Sequence, residues 1–285
     1  MAERIAIITD SCADIPEALR VEKHISTISV RVCTKDADYR DGIDIHTDEV
    51  LRRMDAGESI KTSLPSESEF QELLERLHAE GFTHAVAITM SSAISGTYQM
   101  LRMLCHECRF MTCLAFDSGM AAIAEGALAL QLADEVQAGL PWAEVEARLG
   151  RLRENTHPYF GLDTLKYLMR GGRIGKVTAI AGEILSIKPI LSFDAEGVID
   201  SVEKTRGRKA LMSHLVERIG KLAEGHHAYR LYFADSAADA ERKQLEERVL
   251  AVCRECREVV RSSVSSALAV HLGPGLIGVA IQLLD

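Results

Sequence analysis

Short apolar segments alternate with segments of helical period over the first half of the chain, and this alternation restricts the fold more than any other feature. Residues 5–8, 85–88 and 110–116 are apolar runs that predict buried strands. The intervening sequence predicts helices, including one over residues 66–81 and a long alanine-rich one over residues 120–138. Strands that alternate with helices form a parallel sheet covered on both faces. We therefore predict an N-terminal three-layer α/β/α domain.

A hydroxyl-rich loop with Ser91, Ser92 and Ser95 follows the second of these strands, and a helix is predicted from Thr97. Such a junction presents unpaired N–H groups at the positive end of a helix dipole. Hydroxyls beside them form a site for phosphate or carboxylate. The loop lacks the Gly-x-x-x-x-Gly-Lys-Ser/Thr pattern, so a nucleotide P-loop is not predicted. Capping of the following helix by Ser95 is the competing interpretation.

Further polar residues lie near predicted strand and helix ends. Thr62 and Ser63 precede a helix that Ser66 begins, and capping is the favoured interpretation of this pair. Asp10 and Asp117 follow two strands of the predicted sheet. We expect these carboxylates to accept hydrogen bonds from loop amides rather than to act as bases or metal ligands. Because ligands bind at the carboxyl ends of parallel strands, the two hydroxyl-rich segments can converge on one acid-binding site.

The second half of the chain has a different pattern. It predicts, in order, a hairpin over residues 190–203, a helix from residue 209, a strand at 229–234, a helix over 239–256 and a closing strand at 278–283. We predict a C-terminal α/β domain with a mixed sheet, and domains of residues 1–158 and 159–285. Residues 33–61 of the first domain are predicted to be irregular, because they are polar and rich in turn-forming residues.

Charge and hydropathy exclude several classes of protein. The net charge of −9 argues against a nucleic-acid-binding protein, which needs a basic surface. No apolar run approaches the roughly 20 residues that span a bilayer, and the N-terminal run is too short for a signal peptide. We expect a cytoplasmic protein with at most transient membrane contact.

The chain has seven cysteines, and four of them form two C-x-x-C pairs, Cys105/Cys108 and Cys253/Cys256. Two such pairs can form a four-thiolate zinc site. Both pairs are predicted to lie in helices, far apart in sequence and without a glycine-rich knuckle. Reduced thiols are therefore favoured, and no metal is predicted.

Basic residues and a histidine complete the candidate set. Arg173 lies in a glycine-rich segment, where it can approach a carboxylate or phosphate, although a solvated basic turn is equally consistent with the sequence. Arg206 belongs to a basic cluster over residues 204–209 that suits an anionic ligand or partner. His271 precedes a Gly-Pro-Gly turn, where an imidazole can contact a ligand.

An autonomous esterase or phosphatase is the alternative function that these residues allow. In it, Ser95 would be the nucleophile and His271 the base. No Gly-x-Ser-x-Gly elbow is present, and no third orienting group is evident. A pure interaction protein is a weaker third possibility.

Seven segments in register resemble one known family. They are ITDSCADIP, TSLPS, ITMSSAISGTYQM, FDS, DTLKYLMRGGRIGK, IKPILSF and HLGPGLIGVA. Each is weak alone, but together they cover essentially the whole chain and resemble the DegV family, the fatty-acid-binding subunits of bacterial fatty acid kinase. Leu64 stands where the family commonly has Gln, and Cys12 where it commonly has Thr.

The resemblance implies a function and a set of residue roles. A long-chain fatty acid would occupy a tunnel between the two domains, and a separate ATP-dependent kinase would phosphorylate its carboxyl group to an acyl phosphate. The chain itself would have no independent catalytic activity and no cofactor. By motif position, Thr62, Ser95 and His271 would bind the carboxyl group, with Ser63 and Ser92 as adjacent candidates. In the same picture, Arg173, Arg206 and His271 would support docking or phosphoryl transfer.

Overall fold

The computed structural model describes residues 3–179 and 187–284. The strands of this part are β1 (Ile5–Asp10), β2 (Ile25–Ile28), β3 (Arg31–Cys33), β4 (Asp38–Arg40), β5 (Lys61–Ser63), β6 (His84–Thr89), β7 (Thr112–Asp117), β8 (Thr156–Gly161), β9 (Ile187–Phe193), β10 (Ile199–Arg206), β11 (Tyr229–Ser236), β12 (Cys256–Ser263) and β13 (Leu276–Leu283). The α-helices are α1 (Glu17–Glu22), α2 (Thr47–Asp55), α3 (Glu67–Ala79), α4 (Thr97–Glu107), α5 (Ile123–Gln137), α6 (Trp142–Glu154), α7 (Lys166–Gly171), α8 (Gly207–Ala223), α9 (Asp239–Val252) and α10 (Ser266–Leu272).

The first sheet is parallel and confirms the predicted three-layer domain. Its strand order is β2-β1-β6-β7. Successive residues of a strand point to opposite faces, and both faces are apolar here. Ile7 and Val86 pack against α5 and α6, whereas Ile8 and Ala87 pack against α3 and α4. Helices on both faces therefore bury the two central strands, β1 and β6, as their continuous apolar runs predict.

The second sheet is mixed and has six strands in the order β10-β9-β8-β13-β11-β12. Only β11 and β12 pair in parallel, and the predicted hairpin is β9 with β10. Helices α8 and α9 cover its outer face through an apolar cluster that includes Leu211 and Leu245. The inner face contributes Tyr232, Ala234 and Ala280 to the cluster that contains α5. Helix α5 thus lies between the two sheets, and this explains why its alanine-rich sequence is buried on nearly every side.

The prediction that residues 33–61 are irregular is wrong. They contribute to a three-stranded antiparallel sheet of order β4-β3-β5 and contain α2. Each of these strands has only three residues, too few to show an alternating pattern. The apolar side chains of this unit, such as Val32 and Val50, pack in one cluster with Leu268 of α10. A segment from the first half of the chain therefore completes its core against the second half.

The predicted C-terminal end of the helix over residues 239–256 is also wrong. Helix α9 stops at Val252, and strand β12 begins at Cys256. The Cys253/Cys256 pair therefore spans a turn and a strand, and not a helix as predicted. Among the described residues, no three His, Cys, Asp or Glu side chains are placed to hold a metal ion. The predicted domain boundary between residues 158 and 159 falls within β8, a six-residue strand of the second sheet.

Within residues 3–179 and 187–284, no helix is both long and apolar enough to cross a bilayer.

Candidate functional site

A cavity of about 280 Å³ lies between α5 and the inner face of the six-stranded sheet, and we call it the apolar cavity. Most of its wall is hydrocarbon, including the side chains of Met90, Ile94, Ala121, Ile123, Phe160 and Leu268. Several of these side chains belong to the buried cluster that joins the two halves of the chain. The apolar cavity is therefore an unfilled part of the interdomain core, the kind of site that takes an apolar ligand.

Small residues on the second sheet make room for this cavity. Ala234 pairs with Gly278 on adjacent strands, and Tyr232 pairs with Ala280 two positions further along. All four line the apolar cavity. The Tyr232 hydroxyl donates to Gln282 Oε1 at 3.0 Å, and this hydrogen bond fixes the aromatic ring in the wall of the apolar cavity. None of these four residues was predicted to line a site, although the small residues Gly278 and Ala280 alternate with Val279 in an apolar strand, which is a detectable signal.

Polar side chains lie together in one part of the cavity wall. Thr62 lies on β5 and His271 lies in the last turn of α10, and Thr62 Oγ1 is 2.8 Å from His271 Nε2. These residues are 209 positions apart in the chain, and the packing of the small sheet against α10 joins them. Ser63, Ser95 and Arg173 also line the cavity. Five of the seven residues singled out by motif position therefore surround one space.

The imidazole of His271 is held neutral. Burial, with a smaller contribution from the Arg173 charge, lowers its pKa from 6.5 to about 4. Its Nδ1 is buried and has no hydrogen-bond partner among the described residues. Gly171 permits this position, since a Cβ at residue 171 would lie only 2.1 Å from His271 Nδ1. A neutral ring can donate or accept a hydrogen bond toward a ligand without competing with Arg173 for an anion.

Arg173 is oriented by backbone carbonyl groups rather than by a carboxylate. Its Nε donates to Ile94 O at 3.1 Å, and its Nη1 donates to Gly171 O at 2.7 Å. Among the described residues it forms no ion pair, so its full positive charge is available beside the cavity. The arrangement also fixes the glycine-rich segment to the loop that precedes α4.

Ser95 lies one residue before the N-cap of α4, which is Gly96 and has no side-chain capping hydrogen bond, so the predicted cap by Ser95 is wrong. Its Oγ lies 2.9 Å from Thr97 Oγ1 and accepts from Thr97 N at 3.3 Å, at the beginning of α4. It also lines the apolar cavity. The neighbouring Ser91 was not singled out as a ligand, but it donates to Gly197 O at 2.7 Å and links the two halves of the chain.

Two of the predicted site residues lie away from the cavity. Ser92 does not line it, and its backbone N donates to Asp117 Oδ1 at 3.1 Å. Arg206 is exposed at the beginning of α8 and does not line it either. The predicted amide-binding role of the strand-end carboxylates is confirmed, because Asp10 accepts from Met90 N at 2.8 Å and from Cys12 N at 2.9 Å.

No hydrogen bond between Ser95 and His271 is present among the described residues, and this bears on the hydrolase alternative. His271 Nε2 is engaged by Thr62, and Ser95 is engaged by Thr97. A serine nucleophile needs its base within hydrogen-bond reach. The geometry therefore gives no support to an autonomous Ser95/His271 enzyme.

Comparisons with known proteins agree with this architecture. The family described as "Uncharacterised protein, DegV family" matches residues 4–283. A DegV domain-containing protein of Clostridium acetobutylicum is 34% identical over 279 residues, which are 98% of this chain and 99% of the relative.

Solved structures give the same result. A DegV family protein from Thermus thermophilus, described as fatty acid binding, superimposes with a TM-score of 0.93 at 29% identity over 99% of this chain and all of that one. DegV from Bacillus subtilis, described as a fatty acid binding protein, gives a TM-score of 0.91 at 28% identity with the same coverage. The chain therefore belongs to the DegV family, and it has the two-domain α/β fold of that family.

Proposed function

We propose that this chain binds one long-chain fatty acid in the apolar cavity and presents its carboxyl group to a separate ATP-dependent kinase. The observation that carries the proposal is the division of the cavity wall into a large hydrocarbon part and one polar group of Thr62, Ser95, His271 and Arg173. A fatty acid has the same division. The fatty acid binding described for the relatives from T. thermophilus and B. subtilis supports the same ligand class.

The hydrocarbon wall supplies most of the affinity in this proposal. Burial of an acyl chain contributes about 0.8 kcal/mol per methylene, or about 11 kcal/mol for roughly fourteen methylenes. Ordering of the chain and loss of translational freedom offset a large part of this gain. The polar group then needs only to orient the carboxyl group.

Neutral hydroxyls suit that orienting role. Thr62 and Ser95 can donate hydrogen bonds to a carboxylate without neutralising its charge, and His271 can complete the network with its neutral ring. Such contacts leave a carboxylate oxygen nucleophilic. In the proposed reaction that oxygen attacks the terminal phosphorus of ATP, the bond from this phosphorus to the bridging oxygen breaks, and the products are acyl phosphate and ADP.

In this proposal, cationic residues support phosphoryl transfer and docking of the kinase. Phosphoryl transfer places negative charge on oxygens that Arg173 is placed to stabilise, because it adjoins the carboxyl site. Arg206 is exposed at the protein surface, where a docking kinase can contact it. Ser63 is a further hydroxyl at the same site.

Purified protein is expected to carry lipid. Acid extraction followed by mass spectrometry should release close to one equivalent of fatty acid per chain, because the apolar cavity retains its ligand through purification. Delipidated protein should bind added palmitate or oleate. Protein that is repeatedly lipid-free and binds neither acid would contradict the proposal.

The kinase half of the proposal has its own test. Palmitate-loaded protein with ATP and hydroxylamine should yield no acyl hydroxamate, and an extract of the organism that encodes the chain should make hydroxamate appear. Arg173→Ala should lower that rate at least tenfold, since one charge-assisted hydrogen bond contributes about 1.5–3 kcal/mol. Its palmitate affinity should change less than threefold. Hydroxamate formed from ATP without extract would favour an autonomous enzyme.

A further inference from the structure

A second cavity of about 340 Å³ adjoins the Thr62–His271 pair, and we call it the basic pocket. It shares Thr62, Arg173 and His271 with the apolar cavity. The remaining wall differs, because Lys61 of β5 and Arg170 of α7 line only the basic pocket. The Thr62–His271 pair is therefore the common wall of an apolar space and a cationic one.

The positive charge of the basic pocket is not neutralised by the protein. Its lining contains Lys61, Arg170 and Arg173 but no carboxylate. Among the described residues, none of the three cations forms an ion pair. On the adjacent helix α2, by contrast, Arg52 and Arg53 both pair with Glu49. In a chain with a net charge of −9, three unpaired cations around one concave surface indicate an anion-binding site.

The chemistry of the three cations suits a phosphoryl group. Guanidinium groups bind tetrahedral oxyanions through paired N–H donors, and an ammonium group adds a point charge. A carboxyl group bound at Thr62 and His271 would occupy the common wall of the two spaces. A group attached to that carboxyl oxygen would then extend from the common wall into the basic pocket, while the acyl chain remains in the apolar cavity.

We propose that Lys61 and Arg170, which line the basic pocket, are ligands of the phosphoryl group that the proposed kinase reaction attaches to the carboxyl oxygen. The inference rests on the proposed function. It assigns to Lys61 and Arg170 a role that neither has in binding the fatty acid itself. It also explains why Arg173 and His271 adjoin both spaces, since the bridging anhydride oxygen of an acyl phosphate lies between the acyl carbon and the phosphorus.

A double variant tests the assignment by calorimetry. Lys61→Ala/Arg170→Ala is compared with Arg109→Ala/Arg254→Ala, which removes the same charge from two exposed residues that line neither cavity. The probes are palmitate, a long-chain β-ketophosphonate as a non-hydrolysable acyl phosphate mimic, and inorganic phosphate. The first variant should lose about 10- to 100-fold in affinity for the phosphonate and less than threefold for palmitate. The control variant should lose less than threefold for both.

The comparison of inorganic phosphate with the phosphonate shows whether the basic pocket binds free phosphate or a phosphoryl group joined to an acyl chain. Inorganic phosphate should bind to the wild type at least about 100-fold more weakly than the phosphonate, because it lacks the chain. Phosphate that binds as tightly as the phosphonate would show a site for free phosphate and overturn the assignment. Normal palmitate binding with unchanged phosphonate affinity in Lys61→Ala/Arg170→Ala would overturn the inference alone. Failure of the wild type to bind palmitate would instead overturn the proposed function.

Discussion

Ala280→Phe is expected to abolish binding of long-chain fatty acids. Ala280 is buried on β13 and lines the apolar cavity between Pro158 and Tyr232 of the adjacent strands. It lies four residues beyond Leu276, the first residue of β13 and also part of the cavity wall, or about 13 Å further along the strand. A phenyl ring at this position occupies the space of the distal acyl chain. Displacement of about six methylenes costs about 5 kcal/mol, which corresponds to more than a thousandfold loss of palmitate affinity.

A short fatty acid distinguishes a blocked distal cavity from a damaged carboxyl site. Octanoate should bind to Ala280→Phe within about threefold of the wild type, because it needs only the part of the cavity near Thr62 and His271. Val202→Phe adds the same ring on an exposed position of β10 and should leave both affinities unchanged. Thermal unfolding checks that each variant is folded. Equal palmitate affinity in Ala280→Phe and the wild type would show that the acyl chain does not occupy this cavity.

The parallel sheet and its helices could be predicted because their signals are local. Residues 85–88 form a continuous apolar run, and the helix that follows Ser66 has its apolar side chains at helical spacing. The Ser66 cap is formed as predicted, with its Oγ accepting from Glu69 N. Each of these patterns is contained within one segment, so it can be recognised without knowing which distant residues pack against that segment.

The elements that were missed depend on distant partners. Strand β3 has three residues, and it is a strand only because β4 and β5 pair with its two edges. Strand β12 has charged residues along an edge of the second sheet, so its sequence resembles the end of a helix. Local propensity cannot identify strands of this kind, since cross-strand pairing decides them.

The candidate site shows the same limit. Nothing in the sequence indicates that Thr62 and His271 touch, because their contact requires the small sheet to pack against α10. Motif order identified both residues, whereas geometry separates Ser95, which lines the cavity, from Ser92, which does not. The basic pocket was not predicted either, since Lys61 lies outside the family segments and Arg170, although it lies within DTLKYLMRGGRIGK, was given no role there.

The stability of the protein is expected to depend on pH through three buried carboxyl groups, those of Asp10, Asp14 and Glu125. Burial raises the pKa of Asp10 from 3.8 to about 7, even though the N–H groups of Met90 and Cys12 oppose the shift. Burial also raises the pKa of Asp14 and of Glu125 well above their ordinary values, with the neighbouring carboxylates adding to the effect. Both Glu125 oxygens lack a hydrogen-bond partner among the described residues.

The sign of the effect follows from these raised pKa values. Below pH 4 the carboxyl of Glu125 is protonated in the folded and in the unfolded chain, so it contributes no pH dependence. Above its ordinary pKa of 4.5 the unfolded chain releases the proton while the folded chain keeps it. The free energy of unfolding then falls by about 1.4 kcal/mol per pH unit until the folded-state pKa is reached. The loss therefore appears as the pH rises, opposite to the effect of a salt-bridged surface acid.

Glu125→Gln should remove this loss, because a neutral amide of similar shape replaces the acid. The free energy of unfolding of the variant, relative to the wild type, should increase from pH 5 toward pH 7, by at most about 1.4 kcal/mol per pH unit. Denaturant titrations across this range measure it, and Glu75→Gln on the exposed surface of α3 should give parallel wild-type curves. A Glu125→Gln curve parallel to that of the wild type would show that Glu125 is ionised in the folded protein. Since total stabilities are about 5–15 kcal/mol, a slope of this size over two pH units is a measurable fraction of the whole.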